Sequence, residues 1–467
     1  MAAATWRRMD GVHAPFLIIG MISAMLVFVA LEKPAEAAPC DEPILSEIAC
    51  ENSKAGTPSS VWDVSGSGSS SIQGFATDIS VDQAETVRFK IDSTASSYRL
   101  DIYRMGYYGG DGARLIDTVL PFNVTNQPNC LSDPSTGLVD CGNWSESASW
   151  SVPSDAVSGI YFAHAVRTDG TNGESHIMFV VRDDDGGSDL LFQTSDATWQ
   201  AYNSYGGNSL YTGSPAGRAY KVSYNRPFTT RDYASEDWVF NAEYPMVRFL
   251  ESNGYDVSYT TNVDSDRLGA ELLEHDAFVS VGHDEYWSDQ QRTNVVAARD
   301  AGVHLAFFSG NEVFWKTRWE NSIDGSGTPY RTLVSYKATL ADAVIDPAHP
   351  VWTGTWRDAR FSPPADGGRP ENELTGQIFR VNCCEIDMEV GAADGDMRFW
   401  RDTRVADLSG SQTTTVGTDI IGYEWDEDLD NGFRPAGLFR VSETFGGNQE
   451  ILYDEQPYTF LYTRVHV

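Results

Sequence analysis

The sequence predicts an α/β protein with an N-terminal all-β domain: an Ig-like β-sandwich followed by a mostly parallel, doubly wound sheet. Three observations carry this prediction. From about residue 58 to 182, apolar and polar residues alternate in short runs rich in Ser, Thr, Val and Tyr, the period of half-buried antiparallel strands. From Leu190 to Phe308, short apolar runs alternate with helical patterns, which implies a parallel sheet with helices on both faces. Between the two stands Asp183-Asp184-Asp185-Gly186-Gly187, a charged, flexible break. The expected organisation is therefore a leader at 1–37, a cysteine-bearing segment at 38–57, the β-sandwich at 58–185 and the α/β domain at 186–467.

The leader is read from Arg7 and Arg8, the apolar run Ala14 to Leu31, and the small-x-small pattern Ala35-Glu36-Ala37. These are the parts of a secretory signal peptide, predicting a secreted or periplasmic protein. The run of roughly 18 residues also approaches the minimum for a membrane anchor. No later stretch is long and apolar enough, so no membrane association is expected after cleavage. Six cysteines occur as Cys40 with Cys50, Cys130 with Cys141, and the adjacent Cys383-Cys384. In an oxidising compartment the first two pairs read as short-loop disulfides. For the adjacent pair a vicinal disulfide, two thiols and other partners all stay open.

The strands of the first half are typified by Thr86 to Ile91, Tyr98 to Tyr103, Gly159 to Ala163 and Ile177 to Val181. In the second half Leu190 to Phe192 opens as a buried strand, and Pro245 to Ser252 reads as a helix stopped by Asn253-Gly254. A strand near Val257 to Thr260, a short helix near Leu268 to Leu273 and the strand Ala277 to Val281 follow. Ser288 and Gln291 form a capping-box pattern for a helix ending at Gly302, and Val303 to Phe308 is a further buried strand. Residues 320–467 mix strands and Gly-rich loops and are taken as a continuation of the same domain.

The chain has 33 basic and 67 acidic residues, a formal charge of -34. Such a surface repels nucleic acid and anionic membranes. The expected partner is a small-molecule substrate, with self-association left open.

Open parallel sheets bind ligands beyond the carboxyl ends of their strands. The strand at Leu190 leads into Thr198-Trp199-Gln200-Ala201-Tyr202 and an aromatic, Gly-rich connection of about 50 residues, a length that is often functional. That connection ends at Tyr244. The strand at Ala277 leads into Gly282-His283-Asp284-Glu285-Tyr286-Trp287, and the strand at Val303 into Ser309-Gly310-Asn311-Glu312. Tyr202, Tyr244, His283, Glu285 and Asn311 are thus expected at one sheet edge, with Asp284 read as a turn or capping residue. Two phenols and a carboxylate are hard oxygen donors that suit ferric iron better than zinc. A metal so held polarises a carbonyl and activates water. His283 would move protons, and Asn311 would donate to a developing oxyanion.

The segments Trp199 to Asn203, Gly282 to Trp287 and Ser309 to Glu312 resemble the C-terminal domain family of the N,N-dimethylformamidase large (beta) subunit, over about residues 186–467. The resemblance implies amide hydrolysis at one mononuclear iron held by two tyrosines and a glutamate. It maps the ligands to Tyr202, Tyr244 and Glu285, and the nearby site residues to His283 and Asn311. It further implies Lys337, in Ser335-Tyr336-Lys337, and Glu424, in Gly422-Tyr423-Glu424-Trp425. The expected function is a secreted, Fe(III)-dependent hydrolase of a C–N bond. The alternative is a non-catalytic cell-surface or carbohydrate-binding protein. The turn after Val281 offers no Cys or Ser before Ser288, which argues against a nucleophile-elbow hydrolase. Nothing in the spacing favours a glycosidase pairing Asp284 or Glu285 with Glu312 or Glu424.

Overall fold

In the computed structural model the chain is described over residues 39–466 except 43, 45, 338–343, 349–350, 360–367, 448, 454–455 and 463–464, and beyond residue 447 by its backbone alone. The expected leader lies outside the described residues. Sheets dominate, with few and mostly short helices. Among the described residues no helix is long and apolar enough to cross a membrane.

The N-terminal half forms two sheets. Ile72–Ala76, Thr86–Ser93 and Ala148–Ser151 make a three-stranded antiparallel sheet. Tyr98–Met105, Ala113–Val119, Gly159–Arg167 and Glu174–Val181 pair antiparallel, and Ser80–Val81 adds a short parallel strand to the last. Alternation sends successive side chains to opposite faces. Tyr161, Ala163, Ile177 and Phe179 meet Val87, Phe89 and Ile91 of the first sheet. Ile160, Phe162, Met178 and Val180 point the other way, into a second core with Phe192, Val257, Tyr259 and Val279 of the C-terminal half. The strands Tyr98–Met105, Gly159–Arg167 and Glu174–Val181 are thus largely buried on both faces, which corrects the expectation of half-buried strands, while the edge strand Ala113–Val119 keeps the expected half-burial. Alternating cues from Ser, Thr and Arg mislead here because several polar residues on these strands are themselves buried, Arg104 among them.

Leu190–Gln193, Val257–Thr260, Ala277–Val281 and His304–Phe308 form a four-stranded, wholly parallel sheet. Leu190–Gln193 lies between Val257–Thr260 and Ala277–Val281. The helix Asp289–Ala301 opens with the expected reciprocal Ser288 and Gln291 cap and closes at Gly302 in the left-handed region, φ 110°. His304–Phe308 is an edge strand with exposed ends, where a buried one was expected. The short helix expected near Leu268 to Leu273 is a 3-10 turn at Glu271–Leu273, and a helix that was not expected precedes it at Asn262–Arg267, capped by Thr261. Apart from Val263, the buried residues of Asn262–Arg267 are polar (Asn262, Asp264, Ser265 and Asp266), so an apolar-stripe reading passes over it.

A further sheet lies beyond the carboxyl edge of the parallel one. Tyr286–Ser288 runs parallel to Trp315–Glu320, which pairs antiparallel with Thr332–Val334 and Gly354–Thr355. Lys221–Ser223 completes it. Ile378–Asn382 pairs with Glu424–Glu427. The two expected cysteine pairings resolve as the disulfides Cys40–Cys50 and Cys130–Cys141, and the adjacent pair, left open by the sequence, closes as the vicinal disulfide Cys383–Cys384.

One buried ion pair ties the halves together. Arg104, fully buried on the larger β-sheet, donates to both carboxylate oxygens of Glu251, at 2.9 and 2.8 Å. Glu251 belongs to the helix Tyr244–Ser252 and also accepts from Tyr259 and Asn52. Nearby, Glu51 accepts from Tyr108, Arg114 and Lys54. Burial alone would raise the Glu51 pKa, but the charge of Arg104 and the Lys54 and Arg114 contacts outweigh it and hold it at about 2. A carboxyl depressed from 4.5 to about 2 contributes stability above pH 4.5 that disappears as pH falls towards 2. The shift corresponds to roughly 3 kcal/mol. Urea unfolding of wild type and Glu51→Gln is therefore expected to differ by about that much at neutral pH and to converge in acid. A difference unchanged between neutral and acidic pH refutes the assignment. Arg104→Met, which strands Glu251, should cost on the order of 3–5 kcal/mol in the same assay.

Candidate functional site

Two phenols are delivered by the long connection after Leu190–Gln193. The chain turns into the helix Asp196–Tyr202, which carries Tyr202 on its last turn. It then doubles back: the Leu210 N–H donates to the Ala201 carbonyl at 2.9 Å, and the Tyr211 ring stacks on Tyr202 with centroids 4.0 Å apart. Arg226 fastens this loop from inside. Fully buried, it donates to the carbonyls of Gln200, Asn203, Tyr205, Asn208 and Ser223. Burial away from any strong counter-charge lowers its pKa to about 9, with Asp140 opposing.

Glu285 is the hub. Asn311 Nδ2 donates to its Oε1 at 2.8 Å, and the Tyr211 hydroxyl donates to Oε2 at 3.0 Å. Tyr286 donates to the Tyr211 hydroxyl at 2.7 Å. His283 Nε2 stands 3.4 Å from Glu285 Oε2 and 3.2 Å from Glu424 Oε2, within ion-pairing distance of both. Lys337 Nζ sits 3.2 Å from the centroid of the Tyr211 ring, a close cation–π contact. Asn311, Val313 and Lys337 all hold positive φ, at 55°, 59° and 52°. For a β-branched Val and a buried Lys this is strained backbone, and such strain concentrates at functional sites.

The electrostatics follow from burial and proximity. Burial opposes charge on His283, but Glu285 and then Glu424 overcome it and raise its pKa well above the ordinary value. Burial also disfavours charge on Glu285, yet His283 and then Lys337 bring its pKa below the ordinary range. Burial pushes Glu424 up to about 8, against the pull of His283. Tyr202 and Tyr211 are raised well above 10, by burial first and by the Glu285 charge second.

Two cavities meet here. The larger, about 510 Å³, is lined by Tyr202, Tyr211, Phe314, Trp315 and Phe379 around Glu285 and Asn311. The smaller, about 160 Å³, is lined by Glu236, Asp237, His283, Ser309 and Gly310. Tyr423 and Glu424 form a wall of both.

A family model described as N,N-dimethylformamidase beta subunit-like, C-terminal, matches residues 99–462. The chain belongs to this family. The family match begins within the strand Tyr98–Met105 of the doubly buried sheet, well before residue 186, where the sequence reading starts the resemblance. Among curated proteins the comparison found no match.

Of the residues that the family resemblance implies, the structure brings Tyr202, His283, Glu285, Asn311, Lys337 and Glu424 together. It does not bring Tyr244. That ring packs edge-on against Trp62 and Phe240, and its hydroxyl abuts Gly112, where an added Cβ would lie 1.6 Å from it. Tyr244 does begin a helix, but its side chain turns back towards the N-terminal β-layer. Tyr211 occupies the place expected for the second phenol. It was legible only as part of an unusually long connection, because nothing local marks Ser209-Leu210-Tyr211. The Asn311 amide nitrogen is engaged with Glu285, so it positions that carboxylate and is not simply a free oxyanion donor. Asp284 faces away into the sheet ends, accepting from Gln193, Asn262 and Ser280 at 2.6, 2.8 and 2.7 Å.

These networks predict two stability effects. Asp284→Ala strands the buried donors of Gln193 and Asn262 and Arg226→Leu removes the donor to five carbonyls, and each should cost on the order of 3 kcal/mol in denaturant unfolding. A loss below about 1 kcal/mol in either case contradicts the network reading.

Proposed function

We propose that the chain is an exported hydrolase of an amide-type C–N bond, with one Fe(III) held by Tyr202, Tyr211 and Glu285. The observation that carries this reading is the convergence of two phenols and one carboxylate on the wall of a single cavity, with Tyr211 in contact with Glu285. That donor set is hard and oxygen-only, as ferric iron prefers. Family membership supports hydrolase chemistry. The disulfides Cys40–Cys50 and Cys130–Cys141 support export.

Ferric iron in that place supplies Lewis acidity towards a carbonyl and towards water. The protein's own residues do the rest. Asn311 fixes the Glu285 carboxylate through Oε1, and Tyr286 fixes the Tyr211 hydroxyl. His283 Nε2, between Glu285 and Glu424, holds the proton that a departing amine needs. Lys337 supplies positive charge beside the phenols. Phe314, Trp315 and Phe379 exclude water and receive the apolar part of a substrate.

A second donor set shares the same carboxylate. His283, Glu285 and Glu424 offer ligand atoms within 4.8 Å of one another, a nitrogen and oxygen set that suits zinc. Metal analysis and visible absorption decide between the sets. Iron bound by phenolate gives a strong charge-transfer colour. That colour is expected in wild type and in Tyr244→Phe, and is expected to disappear in Tyr211→Phe and Glu285→Ala. Stoichiometric zinc without colour transfers the assignment to the histidine set. A protein that stays colourless and metal-free after loading with either metal sinks the hydrolase reading and leaves the aromatic cavity as a binding site.

A further inference from the structure

The smaller cavity has a chemical character that the proposed hydrolysis leaves unexplained. Its wall carries three carboxylates, Glu236, Asp237 and Glu424, and no lysine or arginine. Glu236 stands at the exposed rim, while Asp237 is 4 % exposed. Of the cavity's groups, His283 and Glu424 face each other at 3.2 Å. Asp237 shares the influence of the His283 charge, yet its Oδ2 is buried without a hydrogen-bond partner. A buried carboxylate oxygen without a donor is costly, because desolvation is not offset by any bond. Among the described residues, carboxylate oxygens of Asp237, Glu243 and Glu312 are orphaned in this way; of these residues Asp237 alone lines this cavity, and it marks the place of a missing donor.

The two cavities differ in a way that sorts the parts of a substrate. The larger is aromatic and, at about 510 Å³, has room for far more than a one-carbon acyl group. The smaller is acidic and, at about 160 Å³, has room only for a short arm. Glu285 lines the first alone and His283 the second alone, and the two side chains lie 3.4 Å apart. A molecule spanning both cavities therefore has its middle against this pair. Hydrolysis adds water across the C–N bond, giving a carboxylate from one side and an amine from the other.

Resting on the hydrolase reading, we propose that the smaller cavity is the subsite for a short, positively charged amino arm of the substrate, with Asp237 as its counter-ion. The substrate class is then an N-acyl derivative of a small cationic amine, its apolar acyl part lodged among Phe314, Trp315 and Phe379. An ammonium group supplies up to three donors in little volume, which fits both the space and the orphaned Oδ2.

The test compares two probes of matched shape, N-(2-aminoethyl)benzamide and N-propylbenzamide, binding to the purified full chain at neutral pH by calorimetry. The charged probe is expected to bind roughly tenfold or more tightly than the neutral one, as a charge-assisted bond to a buried carboxylate should. Asp237→Asn should abolish that preference while leaving the neutral probe unaffected. Methylammonium, which competes for the same Asp237 carboxylate, should displace the charged probe from wild type, a measurement that holds even where the variant does not fold. Equal affinities in wild type, a preference that survives in folded Asp237→Asn, or methylammonium without effect overturns the proposal. Benzoate release separates it from the reading beneath it. A charge preference without benzoate defeats the hydrolase and keeps the subsite; benzoate from both probes at equal rates defeats the subsite and keeps the hydrolase.

Discussion

A five-stranded sheet with two apolar faces dictates the layout of the whole molecule. One face closes against three strands and the other against the parallel sheet, so a single layer serves two cores. Burying the inner strands of a sheet on both sides removes water from their backbone groups, and polar side chains that fall within it need partners inside the protein. Arg104 meets that demand through Glu251, Ser158 and Tyr108, and in doing so fixes the helix Tyr244–Ser252 against the layer. The same packing explains Tyr244, whose ring fills the seam between layer and helix beside Trp62.

The functional site is assembled by a different device. Its side chains come from two strand ends, one long connection and two segments of the C-terminal sheets, so no single element holds them in place. Order comes from hubs. Arg226 gathers five carbonyls and sets the course of the loop bearing Tyr202 and Tyr211. Glu285 gathers Asn311, Tyr211 and His283. Asp284, one residue earlier, gathers Gln193, Asn262 and Ser280 from the strand ends beneath. Adjacent residues of a turn point to opposite sides, so the carboxylate of the candidate site and the architectural one share a backbone and separate in their contacts.

How much of this was readable beforehand follows from which forces act locally. The parallel strands, the Ser288 and Gln291 cap and the Gly302 stop depend on short-range pattern and were legible residue by residue. So were the strand ends at His283, Glu285 and Asn311, because topology alone places them at one edge. The helix Asn262–Arg267 was not foreseen because its buried residues, Val263 apart, are polar and carry no apolar period. Tyr211 was missed because its position depends on Arg226, fifteen residues further along, and on a loop path that no local signal encodes. The doubly buried sheet was misjudged because period-two patterning tells alternation of faces, not what each face meets.

The shared layer also governs how such a chain can be inherited and engineered. Severing it at Asp183 to Gly187, where the sequence looks most divisible, would leave Ile160, Phe162, Met178 and Val180 bare on one fragment and Phe192, Val257, Tyr259 and Val279 bare on the other. Neither piece would be a module in the sense that evolution shuffles or a biochemist subclones. The half that bears the candidate site is stable only with the β-layer beneath it, so the two have to be transplanted together.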